Sequence, residues 1–220
     1  MSKTYWRNHW KENRSFYGLL FGFLLVRSIL LDQYQIPSES MVPNLLIGDR
    51  IFVNKMAYDV KFPFTQWSLA KVSDPSRGDI IVFIHPKDPD ILLVKRLVGL
   101  PGDKMQIQQG FITVNDQMIP GTAEALILAQ KSGPFNYTEK MGDHEFTVRR
   151  DLLRDNPNLQ AFTIPDGKYF FMGDNRDNSL DSRYWGFAER ELIKGKAFRI
   201  FFSLNLMDSF PWINFARWGQ

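Results

Sequence analysis

Hydrophobic positions in this 220-residue chain fall into one long block near the N-terminus and a series of short runs after it. The block, "FYGLLFGFLLVRSILL" from Phe16 to Leu31, carries Arg27 as its only charge and predicts an apolar helix. Sixteen residues are short against the roughly 20 that span a bilayer, but Arg27 can snorkel and Ser15 or Tyr34 can sit at an interface. A cleaved leader and a buried helix are the competing readings. A leader needs small residues at its cleavage site, and the first alanine after the block is Ala57. The expectation is one uncleaved N-terminal transmembrane helix over 16–31, with a cytoplasmic tail over 1–15 and a body over 32–220.

The short runs read as strands. "DRIFVNKMAY", "GDIIVFIHP", "DILLVKRLVGL", "KMQIQQGFITVNDQMI", "KYFFMGD" and "KAFRIFFSL" are rich in β-branched and aromatic residues. Turn signals punctuate them. Pro101-Gly102 suits the centre of a type II turn, and Asn115-Asp116 suits a hairpin tip. Helical periodicity is weak; "ERELIKGK" predicts a turn or two. Residues 121–161 are the least regular and predict a surface excursion. The expected fold is mainly β: an antiparallel sheet domain with a smaller β insertion within about 104–170. The terminal Trp212, Phe215 and Trp218 suit a packed edge or a membrane-interface contact.

Charge sharpens this picture. Residues 1–31 hold five basic groups and Glu12, a net +4, while the remainder holds 22 basic and 23 acidic groups, a net −1. The tail charge predicts a cytoplasmic N-terminus and a body beyond the membrane, and the balanced body carries no nucleic-acid footprint. Cysteine is absent, which removes disulfides, cysteine nucleophiles and thiolate metal sites.

Just past the apolar block stands "IPSESMVP", with Ser38 and Ser40 bracketed by prolines. A serine nucleophile needs a base. The body offers only His85 and His144, neither in a supporting pattern such as G-x-S-x-G, so a Ser-His-Asp triad has little to commend it. A lysine serves if burial keeps it neutral. Of the thirteen lysines, Lys95 alone lies inside a near-continuous apolar strand, "ILLVKRLVGL". Arg96 then points to the opposite face, so only one of the two is expected inward. An edge-strand lysine is the bland reading of Lys95. A third segment, "MGDNRDNSLDSRYWGF", offers Ser179, Asp181 and Arg183 at alternate positions, which share a face if the chain is extended. A calcium loop fits it poorly, since Arg176 interrupts the ligands and the expected Gly and Glu are missing.

Taken together, "QIPSESMVPNLLIGDRIFVNK", "RGDIIVFIHP", "VKRLVGLPGDK" and "GDNRDNSLDSRYWGF" resemble, in order and rough spacing, the bacterial type I signal peptidases. The resemblance implies a signal peptidase/LexA-like β fold and a membrane-anchored serine endopeptidase that cleaves signal peptides from exported preproteins after A-x-A. It implies Ser40 as nucleophile, Lys95 as general base, Ser38 with the Ser40 N–H as oxyanion donors, and Ser179 as the residue that orients the lysine. Asp181 and Arg183 match supporting residues; Tyr34, Ile36, Pro37, Val82 and Val94 match the shallow pockets for small side chains. No metal or cofactor is implied. The implied partners are preproteins and the lipid bilayer, and the implied state is a monomer in the bacterial inner membrane with its catalytic side outward. Glu39, Asn44 and Ala188 depart from the usual pattern. A relative that matures a narrow set of proteins and a non-catalytic β binding module are the rival readings.

Overall fold

A computed structural model of the chain describes residues 3–62, 65, 67–121, 133–151, 153–154, 157–205 and 212–214. Helix α1 (Lys3–Ile29) opens it. Tail and apolar block thus form one helix, because no Pro or turn residue separates them, and Leu31 already belongs to a strand, not to the helix expected over 16–31. Phe16, Leu19, Phe21 and Phe23 are each more than 60% exposed along α1, with nothing among the described residues to cover them. Among the described residues no helix is both long and apolar enough to cross a membrane.

The central sheet runs in the order β1 (Leu31–Gln35), β2 (Asp49–Asn54), β15 (Ile193–Asn205), β5 (Ile80–His85), β6 (Asp88–Gly99), β13 (Lys168–Met172), β14 (Ala188–Glu189), with β16 (Trp212–Asn214) also on β15. Its strand pairings are antiparallel, as expected from short apolar runs between tight turns. A small hairpin, β3 (Asp59–Lys61) with β4 (Ser68–Lys71), leaves one end. The expected insertion takes shape as a four-stranded sheet in the order β12 (Leu159–Thr163), β7 (Lys104–Gln108), β8 (Phe111–Val114), β9 (Gln117–Met118). The hairpin β10 (Phe135–Met141) and β11 (His144–Arg150) accompanies it.

The predicted turns form. Gly102 has φ +83°, the left-handed value that a type II turn demands at its second central residue. Asn115 and Asp116, at φ +51° and +61°, make the I′-like tip between β8 and β9. In "ERELIKGK" only Arg190–Leu192 is helical, a single 3-10 turn, and Ile193 begins the long strand β15. Trp212 lies in β16, whereas Phe215 and Trp218 fall outside the described residues.

Both faces are covered along β5, β13 and the second half of β6, which is why these stretches read as near-continuous apolar runs, whereas Ile91 and Leu92 in the first half of β6 are exposed. Val98, Phe170 and Met172 face a core shared with the insertion, including Ile107, Val148 and Ile164. Their neighbours Leu97, Tyr169 and Phe171 face a second core with Phe83, Trp185 and Ile193. A third core, of Ile36, Met41, Ile51, Val53, Val82 and Ile200, lies under the "IPSESMVP" segment. Phe171 and Phe83 stack with ring centroids 4.2 Å apart, both fully buried. Phe171→Ala is expected to lower the free energy of unfolding by about 3–5 kcal/mol, through lost burial and an unfilled cavity. Urea denaturation of wild type and variant measures this, and a loss below about 1 kcal/mol would contradict the packing described.

Candidate active site

Three chain segments meet at Ser40. The first, after β1, is fixed by backbone bonds: Ile36 N–H donates to Asp49 C=O and Gly48 N–H to Ile36 C=O. The chain then makes a 3-10 turn, Glu39–Met41, with the extended Ser38 ahead of it. Met41, inserted in the third core, pulls this turn against the sheet, and the Ser40 side chain follows it inward. The second segment is the middle of β6, where Lys95 pairs with Ile81 of β5. The third is the loop after β13. Gly173 passes so close to Ser40 that a Cβ there would come within 2.4 Å of the Ser40 carbonyl and 2.3 Å of Ser179 Oγ, so only glycine fits.

Lys95 Nζ donates to Ser40 Oγ at 2.5 Å, and Ser38 Oγ stands 3.2 Å from the same oxygen. Lys95 is 4% exposed. Burial pushes its ammonium down to about 8 from the ordinary lysine range; the carboxylates of Asp181 and Asp174 work against this shift and Arg183 with it. The charge partners are near enough to act through space, yet Lys95 has neither in a salt bridge. In its neutral form, whose share grows as pH rises toward 8, the amine in hydrogen-bond contact with Ser40 can take the hydroxyl proton.

The cleft beside these groups has a volume of about 230 Å³. Tyr34, Ile36, Pro37, Val82 and Val94, singled out from the sequence, all line it together with Ser38, Ser40 and Lys95. Ser179 does not line this cleft; its buried Oγ lies beside Gly173, has no hydrogen-bond partner among the described residues and does not bond Lys95. Asp181 and Arg183 do pair, though not across an extended chain. Asp181 is the N-cap of the single helical turn α2 (Ser182–Trp185), and its carboxylate takes Arg183 Nε and Nη2, each at 2.8 Å. The same carboxylate accepts Gly173 N–H at 3.0 Å, tying the pair to the loop against Ser40.

Arg96 corrects one expectation. It does leave Lys95's face, but it too is buried, at 5% exposed, because the insertion covers that face. Its guanidinium clamps Asp174 with two bonds of 2.7 Å and lies over the Phe146 ring of β11, 3.6 Å from the centroid. Asn44 adds a bond of 2.7 Å to Asp174. The next residue, Asn175, donates its N–H to Ser40 C=O and its side-chain amide to Glu39 C=O. Two more buried pairs hold the loop: Arg176 with Glu139 of β10, and Asp177 with Arg150 of β11. The carboxylates of Asp174, Asp177 and Asp181 are each occupied by an arginine, which is how the segment is built in place of a calcium loop.

Sequence reading missed this frame. A second charge in an apolar strand, Arg96, was the available signal for a buried carboxylate partner. Nothing local pointed to Glu139 or Arg150. The histidines are engaged elsewhere: His144 Nε2 lies 3.2 Å from Asp79 Oδ1, and His85 accepts the Lys87 N–H.

Comparison with known proteins extends the geometry. A family model described as signal peptidase, peptidase S26, matches residues 10–202. The signal peptidase I of Pseudomonas aeruginosa is 39% identical over 229 residues, covering 94% of this chain and 77% of that protein. The signal peptidase I of Aquifex aeolicus is 35% identical and covers 84% of this chain and 81% of that one. A solved signal peptidase I from Enterococcus faecalis is 30% identical over 57% of this chain and 98% of its own, with a TM-score of 0.39, too low to bear on the fold. A mainly β chain with this match is a hydrolase of the serine endopeptidase class. It belongs to the signal peptidase family, peptidase S26.

The buried amine has a consequence for stability. Below pH 8 the native protein carries a desolvated ammonium at Lys95 that the unfolded chain leaves in water. Between about 8 and the unfolded value near 10.5 only the unfolded chain holds that proton, so wild-type stability gains with rising pH. Lys95→Met removes the penalty. Its melting temperature is expected to exceed that of the wild type most at pH 6, by up to about 3 kcal/mol in stability terms, with the gap closing toward pH 10.5. Thermal melts at pH 6, 8 and 10 test this, and a gap that does not change with pH would count against a buried, shifted amine.

Proposed function

We propose that the chain is a membrane-anchored serine endopeptidase that cuts signal peptides from exported preproteins after small residues in an A-x-A pattern. The observation that carries this reading is the 2.5 Å contact between a buried Lys95 and Ser40 at the end of a narrow apolar cleft, in a chain of this family. A pocket lined by Ile36, Val82 and Val94 suits a methyl-sized side chain better than a large or charged one.

In the reaction Lys95, neutral, takes the proton of Ser40 Oγ as that oxygen attacks the scissile carbonyl. The amine hands the proton to the leaving nitrogen, the C–N bond breaks, and an ester to Ser40 remains. Lys95 then draws a proton from water, which attacks the ester and frees the cut chain. Ser38 Oγ and the Ser40 N–H meet the oxyanion in both halves. Ser179, whose buried hydroxyl is unpaired beside Gly173 and makes no bond to Lys95 here, is assigned to orient the amine during the reaction. Asp181 and Arg183 keep the Gly173 loop against Ser40. The chemistry calls for no metal or cofactor.

Exposed apolar side chains along α1 support the anchor, since a lipid bilayer is the cover that Phe16, Leu19, Phe21 and Phe23 lack. The basic tail sets the N-terminus on the cytoplasmic side of the bacterial plasma membrane and the β domain outside it, working as a monomer. A signal peptide's cleavage site emerges from an apolar helix at that same surface.

With a preprotein bearing an A-x-A site, Ser40→Ala and Lys95→Ala are expected to show no processing while melting as folded proteins; substantial cleavage by either sinks the scheme. Ser38→Ala is expected to slow single-turnover cleavage by ~10²-fold, the usual loss of one oxyanion donor. An unchanged rate removes Ser38 from that role. The wild-type kcat/KM is expected to rise with pH through a midpoint near 8 as the amine loses its proton, and a flat profile down to pH 5 with the fold intact speaks against a lysine base.

A further inference from the structure

The cleft at Ser40 continues beyond Tyr34. Tyr34 and Leu92 line both that cleft and a second cavity of about 390 Å³, which takes in Lys55, Lys61 and Lys194 together with Asp32 and Asp90. Asp32 is held by its own neighbours, accepting from Gln33 N–H and Tyr34 OH. The lysines crowd one another: burial and then the neighbouring ammonium groups push both Lys61 and Lys194 below the ordinary lysine range. Two of them rest on carbonyls, Lys55 Nζ on Ser28 C=O and Lys61 Nζ on Ile193 C=O, each at 2.6 Å. Lys194 Nζ has no acceptor among the described residues.

Ser28 lies in the last turn of α1. A helix ends in unpaired carbonyls and a partial negative charge, and a cation placed there is favourable. Lys55 does this for the protein's own helix. The substrate of the proposed reaction also brings an apolar helix, which ends a few residues before the bond to be cut. It lies in the same membrane as α1, and β1 leads directly from α1 to Ser38 and Ser40. The part of the substrate N-terminal to the cut therefore enters the cleft from the α1 end, across the cavity with the lysines.

We propose that Lys194, with Lys61, forms a subsite for the carbonyl oxygens at the C-terminal end of the substrate's apolar helix. The subsite rests on the signal-peptide reading and adds to it a contact outside the small-residue pockets. It makes the enzyme favour substrates whose helix stops at a set distance before the cut.

The test compares two substrates in neutral detergent: a full preprotein with its helix, and a short peptide beginning four residues before the same cut. Lys194→Gln is expected to raise KM for the preprotein by about 2- to 5-fold, the effect of one helix-terminal charge, with kcat unchanged. The short peptide's kinetics should not move, and Lys194→Arg should restore the preprotein KM. The Lys61→Gln/Lys194→Gln protein should show a larger rise of the same kind, and a thermal melt like that of wild type confirms its fold. Equal losses on both substrates, or no loss on the preprotein, overturn the subsite while leaving the protease reading in place. A loss that emerges only in vesicles of anionic lipid assigns the lysines to a headgroup and also overturns it. Failure of the wild type to cut either substrate overturns the protease reading and this subsite with it.

Discussion

An ammonium group gives up most of its hydration when it is carried into a β-sheet, and Lys95 sits there with Ser40 Oγ 2.5 Å away and no carboxylate in contact. Desolvation and through-space attraction compete at this one nitrogen. Asp174 and Asp181 favour its charged form, and burial disfavours it more strongly. Their carboxylates are already spent on Arg96 and Arg183, which blunts their hold on the amine. Much of the surrounding architecture has the effect of letting desolvation win.

That architecture is a set of buried arginine–carboxylate pairs around one loop. Arg96–Asp174 ties residues 173–183 to the central sheet, Arg176–Glu139 and Arg150–Asp177 tie them to the β10–β11 hairpin, and Arg183–Asp181 braces the segment internally. Such pairs are costly to bury and costlier to break, because removing one partner strands a charge in a dry interior. They contribute little as net stability and much as position. Through Asn175 and Gly173 the position passes to the Ser40 backbone. The insertion thus acts on the nucleophile by covering the Arg96 face, not by touching the cleft.

Much of this was legible from local pattern. The strands, the Pro101-Gly102 turn and the Asn115-Asp116 hairpin tip follow from alternation and backbone preference, which are properties of a few adjacent residues. Lys95 stood out because a charge in an apolar strand is unusual on its own terms. The same signal at Arg96 predicts only a face opposite to that of Lys95, since strand alternation says which face a residue takes and not whether that face is covered. An extended chain would set Asp181 and Arg183 on one face; the chain instead turns helical there, with Asp181 capping Arg183 N–H. Glu139 and Arg150 belong to the loop only through contacts across 27 or more residues of sequence, and no short pattern records those. The limits of α1 were obscured by the change from polar to apolar residues near Phe16, which alters what covers a helix without ending it.

The central claim is that burial brings the Lys95 ammonium down to titrate near 8, so that the neutral amine the reaction needs is well populated at mildly alkaline pH. The most direct test follows its side chain by NMR, with carbon or nitrogen labels at the end of each lysine and Lys95→Met to assign the signal. The account predicts a titration midpoint near 8 for Lys95. A midpoint near the ordinary lysine value of about 10.4 would contradict it.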